Sequence, residues 1–108
     1  MVRAAVRRAF QAMLTYGQMP QNPIDDFGAE NYRVLQPIPV DIRRIGDEDF
    51  LARFHEANIA IGGRDPQDAY QGLVAYILDT FEALNNEARL GPDAMAQLEV
   101  LRTYIVNA

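Results

Sequence analysis

The chain's single histidine, His55, followed by Glu56, is the first place to look for a general base or a metal ligand. Either role needs further side chains converging on the imidazole, and the run Arg53-Phe54-His55-Glu56 supplies only Glu56. A partly exposed histidine on the same strand face as Leu51 and Arg53 is the expectation. Asp47-Glu48-Asp49 offers carboxylates to a divalent cation. It lacks the spacing and the glycine of a calcium loop and reads as a solvated hairpin tip. A two-metal nuclease centre needs carboxylates from several elements, for which Asp41, Glu48 and Asp79 are the candidates. Gly62-Gly63 ahead of a helix has the outline of a phosphate-binding turn, yet Asp65 and Asp68 would repel a phosphate there. No GxGxxG, Walker, GxSxG or HExxH motif occurs, and a chain without lysine forms no Schiff base. Tyr32, Tyr70, Tyr76 and Tyr104 have acidic surroundings and suit a core or interface better than base stacking. Met13, Met19 and Met95 read as packing residues. No catalytic residue, metal or cofactor is expected.

The 108 residues allow one domain, and 49% hydrophobic with 23% charged residues is an ordinary globular composition. With no cysteine there is no disulfide framework, thiolate zinc site, iron–sulfur cluster or cysteine nucleophile. No apolar run approaches the ~20 residues that span a bilayer, and the N-terminus makes no secretory signal. A complete, cytoplasmic protein that does not enter membranes is the expectation. The net charge of −5 disfavours a chain-wide nucleic-acid footprint. The charge is uneven, however: residues 1–24 hold Arg3, Arg7 and Arg8 and no acid, while all the acids lie beyond. Every cation is arginine, whose planar fork suits carboxylate or phosphate.

Four stretches must position these residues. Over 1–17, Val2, Val6, Ala9, Phe10, Met13 and Leu14 fall at helical spacing, predicting an amphipathic basic helix stopped by Gly17 and Pro20. Residues 18–31, rich in Pro, Gly and Asp, read as a linker. From Tyr32 the period becomes two. Ile38, Val40 and Ile42 share one face, with Pro37 and Pro39 making the start irregular or an edge. A polar turn at 46–49 leads into a strand with Phe50, Ala52 and Phe54 on one face, and Ile59-Ala60-Ile61 forms a third strand. Gly62-Gly63 supplies the dihedral freedom for the turn into a helix. Asp65 caps that helix and Pro66 begins it; it carries an apolar stripe from Ala69 to Leu84. Gly91-Pro92-Asp93 starts a last helix bearing Met95, Leu98, Leu101, Tyr104 and Ile105. The fold class is α+β: a three-stranded antiparallel sheet covered by a long helix, with an extra N-terminal and an extra C-terminal helix around the 32–108 domain.

The order from about Val34 to Leu84, with Gly46-Asp47-Glu48-Asp49-Phe50 at the hairpin and Ile61-Gly62-Gly63-Arg64-Asp65-Pro66-Gln67-Asp68-Ala69 at the helix start, resembles the HicB-type antitoxin family. That family's βββα unit is a catalytically empty relative of the ribonuclease H fold. The resemblance covers roughly half the chain. Glu56-Ala57-Asn58 stands where the family has a Leu-Pro-Gly-like turn, and a single helix replaces the usual DNA-binding tail. The resemblance implies a non-catalytic protein-binding or oligomerising module, a homodimer or larger, that meets a basic ribonuclease toxin. Arg43, Arg53 and His55 are the expected protein-binding residues. The competing readings are a nucleic-acid-binding regulator using Arg3, Arg7 and Arg8 of paired N-terminal helices, and a small metal-dependent nuclease.

Overall fold

The computed structural model describes residues 18–19 and 23–108. The basic helix expected over 1–17, with Arg3, Arg7 and Arg8, lies outside them. The described chain is α+β, with strands β1 (Gln18–Met19), β2 (Tyr32–Val34), β3 (Asp41–Gly46), β4 (Asp49–Phe54), β5 (Ile59–Gly63) and β6 (Ile105–Asn107), and helices α1 (Pro66–Asn86) and α2 (Pro92–Tyr104). β3, β4 and β5 form an antiparallel meander, and β1 adds two residues to its β3 edge. β2 and β6 pair separately.

The hairpin β3–β4 has to satisfy two demands that conflict. A two-residue turn at Asp47-Glu48 pairs Gly46 with Asp49. Continued regularly, that register would set Ile42 against Arg53 and turn one strand's apolar face to water. The ladder instead pairs Arg44 with Phe50, Ile42 with Ala52 and Asp41 with Arg53, with a register shift between Arg44 and Gly46. Ile45 is the extra residue of this bulge, and it is 57% exposed. The shift keeps Ile42, Phe50, Ala52 and Phe54 buried on one side. Arg44 ties down the turn, its Nε donating to the Gly46 carbonyl at 2.9 Å.

Ile59, Ile61 and Gly63 continue the core side across β5, and α1 lies on it. Asp65 caps α1 by accepting from the Asp68 amide at 2.8 Å, and Pro66 opens the first turn. Ala69, Leu73, Ile77 and Phe81, at spacings of three and four, are its buried stripe. The two glycines before it have a different role from the one expected. Neither has a positive φ; Gly63 is required by proximity, because a Cβ there would lie 2.4 Å from the Ala69 nitrogen and 2.6 Å from its Cα. The left-handed position is Asn58, at φ 56°, which closes the short 3-10 turn His55–Ala57. Asparagine tolerates this conformation better than most residues.

Four sequence readings need correction. Residues 18–31 are more than a linker: β1 lies within them, and Ile24 is buried and exchanges backbone hydrogen bonds of 2.9 and 2.8 Å with Ile38. Pro37 and Pro39 flank Ile38 and lack donors, so this pairing stays an isolated bridge. Tyr32 to Ile45 is not one strand, since β2 belongs to the second sheet. Two helices occur among the described residues, and the second ends at Tyr104. Ile105 begins β6, where pairing with Val34 buries it. Met95, expected to pack, is 49% exposed on α2.

Gly63→Ala should destabilise the fold by about 2–3 kcal/mol through overpacking against the α1 backbone. Gly62→Ala, whose Cβ would meet only the Phe50 carbonyl at 3.7 Å, should cost far less. Urea midpoints of the two variants check this; equal midpoints would contradict the role given to Gly63.

Candidate functional site

Period-two alternation gives the main sheet a second face. While Ile42, Ala52 and Ile61 point toward α1, the residues between them, Asp41 and Arg43 on β3, Asp49, Leu51 and Arg53 on β4, and Ala60 and Gly62 on β5, line the opposite side. Arg43, Asp49, Ala60 and Gly62 are exposed, and Leu51 is half-buried.

Asp41 organises one end of this face. Its Oδ2 accepts from Arg53 Nη2 at 2.6 Å and Nε at 3.2 Å, and His55 Nε2 lies 3.1 Å away. Arg43 Nη2 stands 3.9 Å off. The Asp41 side chain is only 13% exposed, whereas Arg43 and His55 are 47% and 61% exposed. Burial by itself would raise the Asp41 carboxyl. The Arg53 hydrogen bond, the His55 contact and the charges of Arg53 and Arg43 outweigh it and hold the group below the usual carboxylate range. The three residues expected to bind protein, Arg43, Arg53 and His55, are therefore brought together around one carboxylate. His55 does not sit on the strand alternation as expected; it opens the 3-10 turn after β4 and reaches Asp41 from there. Glu56 turns away from it and accepts from the buried Tyr104 hydroxyl at 2.6 Å.

The opposite end of the hairpin is acidic. Asp47, Glu48 and Asp49 are all exposed, and Asp47 Oδ1 lies 3.5 Å from Arg44. Along β4, Asp49, Leu51 and Arg53 thus run acid, apolar, base on a single face.

The nuclease set is not assembled. Asp41 sits on the second face, Glu48 at the tip, and Asp79 on the exposed side of α1, across the sheet from Asp41. Among the described residues, no group of three His, Asp or Glu could hold a metal ion. After Gly62-Gly63, Asp68 Oδ2 takes the Arg64 amide and Asp65 Oδ1 takes the Asp68 amide, so carboxylates already hold these two donors at the start of α1. Tyr104 packs edge-on against Phe54, and Tyr32 edge-on against Phe81 with its hydroxyl donating to Glu82. Tyr70 is half-buried, and Tyr76 is exposed on α1. No described helix is long and apolar enough to cross a membrane.

No family model, curated protein or solved structure matches the chain.

Asp41 is the residue that sequence reasoning undervalued, weighing it only as a metal ligand. The bulge hid its partner: counting back from the turn sets Asp41 opposite Phe54, and only the shifted register brings it to Arg53. The available signal was the apolar parity of Ile42 with Ala52.

Because its folded-state pKa is lowered, the ionised Asp41 contributes stability that is full above the ordinary carboxylate range and is lost as pH falls through the folded value. Asp41→Asn should therefore cost about 1–3 kcal/mol at pH 7, and the gap to wild type should close as pH falls below about 4. Urea titrations across this range check it; a gap independent of pH would contradict it.

Proposed function

We propose that this chain is a non-catalytic protein-binding and oligomerisation module of the kind the HicB-like resemblance implies, acting in the cytoplasm and meeting a basic protein such as a ribonuclease toxin. The observation that carries this reading is the second face of the sheet, whose strands bury one side under α1 and present Asp41, Arg43, Asp49, Arg53 and the adjoining His55 on the other. The succession β3–β4–β5–α1 supports the resemblance over that part of the chain. A basic partner suits a chain of net charge −5, since complementary charge speeds encounter and fixes orientation. Its cations would meet Asp47, Glu48 and Asp49 at the hairpin tip, where three carboxylates project into solvent.

The test is co-expression with the product of the neighbouring reading frame, expected to be short and basic. A stable complex that suppresses the partner's ribonuclease activity, and that weakens about tenfold or more when Asp47, Glu48 and Asp49 are changed to Lys, is the expected result. RNA cleavage by this chain alone with magnesium or manganese would overturn the reading. So would sequence-specific nucleic-acid retention that falls steeply with salt and is lost with Arg3→Gln, Arg7→Gln and Arg8→Gln.

A further inference from the structure

We infer that the outer edge of β5 is a docking edge whose occupant is the β5 edge of a second copy of this chain, the two strands pairing antiparallel about a two-fold axis at Ile61. This deepens the oligomerising part of the function proposed above and rests on it.

Sheet edges are ordinarily kept from pairing by shortness, charge, proline or a bulge. The main sheet treats its two edges differently. Its β1 edge is two residues long. Its β5 edge runs for five, Ile59-Ala60-Ile61-Gly62-Gly63, with no charge, no proline and a regular ladder to β4. No described strand pairs with the outer side of β5. Residues 1–17 join the sheet through β1, about 14 Å away across three strand spacings.

Symmetry selects the register. Residues of the same sheet face must stand opposite each other, and a two-fold at Ile61 pairs all five: Ile59 with Gly63, Ala60 with Gly62, and Ile61 with its own equivalent. Such an isologous contact matches itself by construction and adds about four to six main-chain hydrogen bonds. On the core side the axis crosses an apolar strip. A Cβ on Gly72 would meet the Ile61 side chain at 3.6 Å, so this flank of α1 overhangs β5, and Tyr76, one turn further along the same flank, is 44% exposed. α1 packs on β5 and β4. With strands about 4.8 Å apart, a helix axis over the β4–β5 interval lies about 10 Å from its symmetry mate, the separation at which helices touch.

Charge at the strand ends commits this edge to a second copy. The same register sets Arg64, just past β5, opposite Asn58 of the other copy, just before it. Asn58 lines a cleft together with Glu56, Asp93 and Gln97. Arg64 and Asp93 are both exposed, and among the described residues neither side chain is in a salt bridge. The two-fold thus brings an arginine to an acidic cleft at each end of the paired strands, which orients the contact and makes it salt-sensitive.

The test uses the full chain alone, in sedimentation equilibrium at low and high salt. Wild type should dimerise reversibly, less so as salt rises. Arg64→Glu and Asp93→Arg, both at exposed positions, should each weaken the dimer by about tenfold or more. An equimolar mixture of the two variants should restore association, because in the mixed dimer every end again joins opposite charges. Circular dichroism of each variant confirms that the fold is kept. In addition, Ile61→Cys in this cysteine-free chain, opposite itself at the axis, should give a disulfide-linked dimer on mild oxidation, since facing residues of paired strands lie within disulfide reach. A wild type that stays monomeric at millimolar concentration overturns the inference. So does a dimer that both variants leave unchanged, or a mixture that fails to associate. A monomer that binds the basic partner, and loses it with Arg64→Glu, gives the edge to a strand of that partner and defeats this inference alone. A dimer that follows the charge pattern and binds no such partner defeats the toxin-directed reading and upholds this one.

Discussion

One residue of parity governs the molecule. The Asp47-Glu48 turn and the apolar alternation of β3 and β4 ask for registers that differ by one, and the bulge at Ile45 reconciles them. Were the ladder regular, Ile42 would face Arg53 and either a charge would enter the core or an isoleucine would leave it. The conflict costs one exposed isoleucine and a locally bent strand, far less than a buried unpaired guanidinium. Everything downstream follows from this choice: the surface on which α1 packs, the pairing of Asp41 with Arg53, and the identity of the side chains left on the second face.

The two faces then meet different fates. On the core side, Gly63 lets α1 come within backbone contact of β5, and the Asp65 cap fixes where the helix starts. α2 closes the end of the sheet by placing Leu101 and Tyr104 against the main core. Its Gln97 donates to the Ala57 carbonyl at 2.8 Å, and β6 then pairs with β2 to tie down the C-terminal strand. On the other side, the described residues of the strands present Asp41, Arg43, Asp49 and Arg53 around the half-buried Leu51. Asp41 is kept ionised by arginine, and the surface alternates in charge along its length. In the proposed recognition role, this arrangement of charge is what selects partner and orientation.

Much of this was legible in the residues. The alternation of Phe50, Ala52 and Phe54, the Asp65-Pro66 start and the Ala69 to Phe81 stripe state their elements through local spacing alone. What escaped was non-local. The Ile24–Ile38 bridge and the β2–β6 pair join segments with no periodic signal, so 18–31 read as a linker and Ile105 as helix. The need for Gly63 lies in its distance from Ala69, which no dihedral preference announces. Arg43, Arg53 and His55 read in the sequence as separate polar positions; their common centre, Asp41, is set by the shifted register at the bulge.

The proposed meeting place for a basic partner is the second face of the sheet, with the acidic hairpin tip beside it. Backbone amide NMR spectra recorded while the basic product of the neighbouring reading frame is titrated in address that proposal most directly. Partner-dependent shifts confined to Arg43, the 47–55 stretch of the hairpin and Ala60, with the α1 signals at Tyr76 and Asp79 unmoved, are the predicted result. Shifts that centre on α1 or α2 and leave the hairpin unchanged would contradict it.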